Sequence, residues 1–272
     1  MVDSWSLMKN WDLVIPPSRP SLEQLQYLTS FAKGINKANP VAVLGSTMEF
    51  RDLLYELEFK NIYVFDWNEK FHNQTSRTRV YNNKEIFIHG NWIDTLQNYQ
   101  NRFSLILSDL TSGNIAYEYR AKFYLDIENA LMEQGHFYDK LLIHDNLINI
   151  NSLIRKYQTA PINNSSVNYF SCEFLFCSEL LAPTKKVDTT KIYQQLIEMC
   201  DNLRIRKFIE LCKVITPEGF VWYYGKTWNE LKLDYCKTLI KINELEDFKT
   251  SPYFKRAKLF HLIKKNYERS KN

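Results

Sequence analysis

Gly45-Ser46-Thr47 closes a short apolar run, Val41-Ala42-Val43-Leu44, and a carboxylate, Asp66, ends the next apolar run 21 positions after Gly45. A glycine turn between a strand and a helix presents backbone amides and the positive helix end to a ligand. An acid ending the following strand accepts hydrogen bonds from ribose hydroxyls. A spacing of about 20 residues leaves room for one helix and one strand between the two. The pair therefore points to a nucleoside-binding crevice. It is not a dinucleotide fingerprint, because the second glycine position is Thr47 and the third is Phe50, so a pyrophosphate would be poorly received. No Gly-Lys-Ser/Thr follows the turn, which excludes a P-loop.

Other residues could complete such a site. Ser108-Asp109 ends a fourth apolar run, Phe103-Ser104-Leu105-Ile106-Leu107. The carboxyl ends of parallel strands point into the ligand crevice, so Asp109 is read as a cofactor or substrate contact. His144 and Asp145 follow the fifth run, Leu141-Leu142-Ile143. A histidine there suits proton abstraction at neutral pH, whereas a packed His144 and a helix-capping Asp145 are the structural alternatives. Tyr117 and Tyr119, just after the fourth run, are placed to line a flat apolar substrate pocket. Five cysteines form no CxxC pair, so no metal site is indicated; they read as reduced, mostly buried thiols.

The elements that must position these residues alternate. Short apolar runs near 41–45, 61–65, 85–89, 103–108 and 137–143 read as strands, and amphipathic stretches near 49–58, 116–133 and 147–157 as helices. That alternation is the signature of an α/β, doubly wound, mostly parallel sheet. Ser46 and Glu49 have capping-box spacing at the first of these helices. Residues 1–40 form an N-terminal helical segment. In it Ser21 and Gln24 cap a helix whose face carries Leu22, Leu25, Leu28, Phe31, Ala32 and Ile35, expected to pack on the sheet edge and help cover the ligand. Residues 41–150 form the nucleoside-binding half. Residues 151–238 lose the alternation, pass through a polar loop (161–166) into helices such as 189–213, and read as a helical cap over the substrate. Residues 239–272 contribute a closing β-hairpin, with strands 239–249 and 257–263 around Ser251-Pro252.

With 45% hydrophobic and 24% charged residues, the 272-residue chain has an ordinary soluble composition. Its charge of +4, from 35 basic and 31 acidic residues, is too even for a nucleic-acid surface. No secretory h-region and no run of about 18 apolar residues occurs, so a cytoplasmic protein without a membrane partner is expected.

The ordered motifs resemble those of the class I S-adenosylmethionine-dependent methyltransferases, over most of residues 20 to 265. The resemblance implies the Rossmann-like methyltransferase fold, with seven strands, the last antiparallel and hairpin-linked to the sixth. It implies that Gly45-Ser46-Thr47 wraps the methionine and ribose, and that Asp66, with Trp67 beside it, binds the ribose hydroxyls. His89-Gly90-Asn91-Trp92 is similar to the Gly-Asp/Asn-apolar motif after the third strand, so Gly90, Asn91 and the Trp92 amide would receive the adenine. Asp109 and Leu110 would face the sulfonium. Where the family often places an acid two residues before the first glycine, this chain has Val43; its turn resembles a small-molecule variant, Leu-Gly-x-Thr-x-Glu-x-Arg-x-Leu, over Leu44 to Leu53. Arg51 and Arg19 are the candidates for holding the methionine carboxylate.

Methyl transfer by in-line displacement needs alignment more than acid–base chemistry. No Asp/Asn-Pro-Pro-Tyr motif follows the fourth strand, which disfavours DNA and leaves a small-molecule acceptor, aromatic or heterocyclic. A protein or peptide substrate, an inactive S-adenosylmethionine-binding subunit or sensor, and a nicotinamide oxidoreductase are the rival classes.

Overall fold

The computed structural model describes residues 10–78, 85–142, 147–181, 186–223, 227–235, 237–246 and 257–265. The strands of the main sheet are β1 (Val41–Leu44), β2 (Ile62–Asp66), β3 (Ile86–His89), β4 (Phe103–Asp109) and β5 (Leu131–Leu142), which are parallel. A short ribbon, β6 (Lys186–Asp188) with β7 (Val221–Tyr223), stands apart; β8 (Leu239–Glu246) and β9 (Ala257–Lys264) complete the sheet. Their order is β3-β2-β1-β4-β5-β9-β8, with β9 antiparallel to both neighbours. Every residue of β1 and β2 is buried, as continuous apolar runs covered on both faces must be. The order reverses between β1 and β4, where Leu44 pairs with Ser108, so the glycine turn and Asp109 emerge side by side.

Helices cover both faces. On one lie α1 (Leu22–Ala32) and α2 (Met48–Glu56), whose Leu28, Phe50 and Leu54 pack on Val43, Val64 and Leu107. On the other, α5 (Tyr117–Ala130) and α10 (Trp228–Tyr235) place Phe123, Ile127 and Leu231 against Phe65, Phe103 and Phe260. The remaining helices near the sheet are α3 (Glu69–Thr78) and the one-turn α4 (Trp92–Thr95). A separate core joins α6 (Ile150–Thr159), α7 (Asn164–Phe176), α8 (Thr189–Met199) and α9 (Leu203–Ile215) around Tyr157, Phe170, Phe208 and Ile209. This cap is inserted between β5 and β8. No helix among the described residues is long and apolar enough to cross a membrane.

Several local expectations change. The Ser21–Gln24 capping box forms, with both bonds at 3.2 Å, but α1 lies on a sheet face rather than an edge and leaves Leu22 66% exposed. No capping box joins Ser46 to Glu49: Thr47 is the N-cap without a side-chain bond, because Ser46 and Glu49 have other partners described below. The helix read to 133 ends at Ala130, and β5 begins at Leu131. The strand spends residues 132–135 on a register shift against β4, where a Cβ on Gly135 would come within 2.8 Å of the Phe103 carbonyl. The 189–213 stretch is two helices, the second capped by Asn202, and the polar loop 161–166 already begins α7, capped by Asn163. The ribbon β6/β7 was not anticipated, since three-residue strands carry no readable period. Cys172, Cys177, Cys200 and Cys212 are buried free thiols; Cys236, Ser251 and Pro252 lie outside the described residues.

Candidate functional site

One crevice opens over the carboxyl ends of β1, β2 and β4, with an open volume of about 1050 Å³ counted to its mouth. Gly45 sits at φ +84°, a left-handed conformation that favours glycine, and its amide donates to the Phe65 carbonyl at 2.8 Å. The Thr111 hydroxyl donates to the Leu44 carbonyl at 2.9 Å, fixing the turn from the β4 side. Asp66 is buried beside this turn; its Oδ2 accepts from Ser46 Oγ at 2.7 Å and its Oδ1 from the Asn68 amide at 2.9 Å. Burial raises the Asp66 pKa above the ordinary carboxylate value, opposed chiefly by the Ser46 and Asn68 bonds. Ser46 Oγ also lies 3.4 Å from Nδ1 of His72, whose ring stacks on Phe87. Gly45, Ser46, Thr47, Asp66, Trp67 and Trp92 all line the crevice, and Asn68 and Phe71 extend the same wall.

The third-strand motif is only partly in place. Gly90 adopts φ +147°, and a Cβ there would meet Thr95 Cγ2 at 2.6 Å, so glycine is required. Trp92 is buried, with its indole donating to the Phe65 carbonyl at 2.9 Å. The Asn91 side chain is exposed, accepts from the Ile93 amide at 3.1 Å as the N-cap of α4, and lies outside the lining of the crevice. Its polar oxygen is thus engaged by the helix that it starts.

At the β4 end Asp109 lines the crevice and pairs at 3.2 Å with Lys140, both buried. Lys140 also donates to the Arg19 carbonyl at 2.6 Å. Leu110, beside Asp109 on the lining, holds φ +58°, a strained conformation for a leucine at the rim of a site. Behind this end Asp139 accepts from Ser108 Oγ at 2.8 Å and from Tyr124 OH at 2.9 Å. Burial pushes the Asp139 carboxyl up to about 7. The buried Arg120 donates to the Ile115 carbonyl at 3.1 Å and to the Tyr223 carbonyl at 2.9 Å, joining the loop after β4 to β7 of the cap.

Two further pieces roof the crevice. The strap formed by residues 10–20 contributes Trp11, Val14 and Ser18. Trp11 Nε1 donates to Glu49 at 3.0 Å, Arg19 pairs with the same carboxylate, and Arg19 also donates to the Trp11 and Val14 carbonyls at 3.3 and 3.2 Å. Asn168 on α7 holds the strap from the cap side, accepting from the Ile15 amide at 3.2 Å and donating to the Leu13 carbonyl at 3.0 Å. The cap itself contributes Phe176, Ile215, Thr216, Phe220 and Trp222. The expected ligand cover is therefore made by the strap preceding α1, not by that helix.

Other expectations need correction. Arg51 is fully buried and bound to Glu85 at 2.6 Å, to Thr75 at 2.8 Å and to Ser76 at 2.6 Å, so it ties α2 to α3 instead of reaching a ligand. Tyr119 is 51% exposed, and Tyr117 lies under the Arg120 guanidinium and against Tyr223; neither lines the crevice. The helix α5 turns Tyr119 outward and packs Tyr117 beneath Arg120. His144 and Asp145 lie outside the described residues. Residues that sequence reasoning missed are Trp11, Phe71, His72 and Thr111. Only the charged pair Asp139-Lys140 within an apolar strand offered a signal, for the partner of Asp109. Among the described residues no group of three metal-ligating side chains occurs.

No family model and no curated protein sequence matches the chain. Solved structures resemble it. A Rhodobacter sphaeroides protein, provisionally described as a Zn-dependent alcohol dehydrogenase, is 12% identical with a TM-score of 0.57, covering 97% of this chain and 100% of its own. An S-adenosylmethionine-dependent methyltransferase from Mesorhizobium loti is 13% identical with a TM-score of 0.49, covering 88% and 97%. The 1,6-didemethyltoxoflavin-N1-methyltransferase of Burkholderia thailandensis, solved with S-adenosylhomocysteine and 1,6-didemethyltoxoflavin, is 8% identical with a TM-score of 0.47, covering 88% and 77%. These descriptions name different chemistries, and at such identities the likeness is one of fold. The seven-stranded sheet with β9 reversed is the doubly wound, Rossmann-like arrangement that the sequence resemblance implies.

Proposed function

We propose that the chain is an S-adenosylmethionine-dependent methyltransferase acting on a small-molecule acceptor, aromatic or heterocyclic. The observation that carries this reading is the buried Asp66 carboxylate, held by Ser46 and Asn68 on the same crevice wall as the Gly45 turn, with Asp109 across the switch point. The donor set fits a nucleoside: a carboxylate for ribose hydroxyls, a turn that exposes backbone, and the Trp67 and Trp92 rings for a flat base. Asn91 would join them only by leaving its cap on α4.

When bound, S-adenosylmethionine would supply an electrophilic methyl carbon on a sulfonium, open to in-line attack by an acceptor N, O, S or C, with the neutral thioether S-adenosylhomocysteine as the leaving group. The chain's task is then alignment and exclusion of water, for which effective molarity can contribute roughly 7–11 kcal/mol. Asp109 supplies a carboxylate at the end of β4, its charge balanced by Lys140. The strap and cap close the crevice from above through Trp11, Val14, Phe220 and Trp222. Arg19, bridging Glu49 and the strap carbonyls beside the turn, is the one carried-over arginine still near the crevice.

Calorimetric titration with S-adenosylmethionine and S-adenosylhomocysteine tests the reading. Wild-type binding in the micromolar range and a loss of roughly a hundredfold in Asp66→Ala are expected, since two hydrogen bonds to a charged group go at once. Absence of binding to the wild type would sink it.

A further inference from the structure

We infer that the cap side of the crevice takes a planar aromatic molecule, stacked on a wall made by Phe220 and Trp222, and rejects anionic ones. The inference rests on the proposed function only in calling this molecule the methyl acceptor.

The wall is built before any ligand arrives. The Phe220 and Trp222 rings stack at 4.9 Å and 16°, and Phe176 continues the surface at 5.4 Å from Trp222. Both ends of the segment are pinned. The Phe220 amide donates to Thr189 Oγ1 at 3.1 Å, the Thr189 amide returns to the Phe220 carbonyl at 3.0 Å, and Arg120 holds the Tyr223 carbonyl at 2.9 Å. A preformed aromatic surface favours a flat ring because no rotamers have to be ordered on binding.

Charge sets the second half of the selection. Among the described residues lining the crevice, the ionisable side chains are Asp66 and Asp109 alone. An anionic group would face the Asp66 carboxylate and find no cation among the described lining residues, a costly desolvation. Lys140 lies behind Asp109, engaged with it and with the Arg19 carbonyl. That pairing leaves Asp109 with little net field toward either sign of charge. Polar atoms on the cap side are neutral: Thr216 Oγ1, 3.0 Å from Ser171 Oγ, and Ser18 Oγ, 3.4 Å from Cys172 Sγ. They suit the edge of a heterocycle.

The test is a matched series, quinoline, quinoline-4-carboxylate and N-methylquinolinium, titrated calorimetrically at neutral pH with and without S-adenosylhomocysteine. Quinoline and N-methylquinolinium should both bind, and the carboxylate should bind at least roughly tenfold more weakly than either. Trp222→Leu should weaken quinoline by a similar factor in the titration without S-adenosylhomocysteine. Equal binding of the carboxylate, absence of quinoline binding, or indifference of quinoline to Trp222→Leu would each overturn the inference. The charge series needs no variant, so a Trp222→Leu protein that fails to fold does not shield it. If S-adenosylhomocysteine fails to bind the wild type, the cofactor reading falls alone, and the series without it still decides what the wall selects.

Discussion

The two sides of the crevice are held by different physics. On the sheet side, polar groups sit on strand ends: Gly45, Asp66 and Asp109 follow β1, β2 and β4, and their positions are set by parallel pairing and by bonds such as Ser46 to Asp66 at 2.7 Å. On the cap side, rings dominate, and they belong to a core of their own that meets the sheet through a few polar ties, Arg120 to β7 and Asn168 to the strap. The contrast teaches where variation is tolerated. A strand end cannot shift without breaking its ladder, whereas a cap with a separate core can be reshaped while the sheet stays intact.

A buried charge pair on the sheet side, Asp109 with Lys140, should be the most sensitive point. Lys140→Met leaves Asp109 buried without its partner, which should cost about 3–5 kcal/mol of unfolding free energy in guanidinium titrations. The double variant Asp109→Leu/Lys140→Met should recover most of that loss, since it removes both charges. A single-variant loss below about 1 kcal/mol would mean that the pair behaves as a solvated one.

How much of this was readable in the sequence follows the same division. The β1 and β2 runs, the turn at Gly45 and the acid at Asp66 were legible because a parallel strand buried on both faces must be continuously apolar, and because its carboxyl end has one geometric role. The closing pair β8 and β9 was legible from its flanking apolar runs. The Ser46–Glu49 capping box was misread because local spacing cannot reveal that Asp66, Trp11 and Arg19 compete for those two side chains. Tyr117 and Tyr119 were misread because nearness in sequence to a strand end says nothing about which way the next helix turns. Trp11 was illegible as a site residue: it reaches the crevice through tertiary packing with segments far away in the chain, and no local period marks it.

A smaller effect probes the polar layer behind the β4 end. Folded Asp139 keeps its proton up to about pH 7, while an unfolded aspartate releases it near pH 4. Between those values the unfolded state binds fewer protons, so stability falls as pH rises, by up to about 1.4 kcal/mol per pH unit, and levels off above the folded pKa. Asp139→Asn should remove that slope between about pH 5 and 7, bringing the stabilities of variant and wild type together or crossing them toward the alkaline end. Parallel pH profiles for the two proteins would mean that Asp139 is ionised throughout, and that Ser108 and Tyr124 hold a carboxylate instead of an acid.

The smallest effect separates the strap from the sheet. Trp11→Phe keeps the ring against Phe71 but deletes the bond from Nε1 to Glu49, a change of about 0.5–1.5 kcal/mol. Glu49 retains Arg19, so the strap should stay docked and open more often. Hydrogen exchange at the Ile15 amide, which donates to Asn168, should accelerate roughly threefold to tenfold, while the Gly45 amide, locked to the Phe65 carbonyl, should not change. Equal acceleration at both positions would mean that the strap and the turn open as one unit. In that case the roof of the crevice would be part of the sheet's own cooperative structure, and the division between a fixed floor and an adjustable cover would fail at the strap.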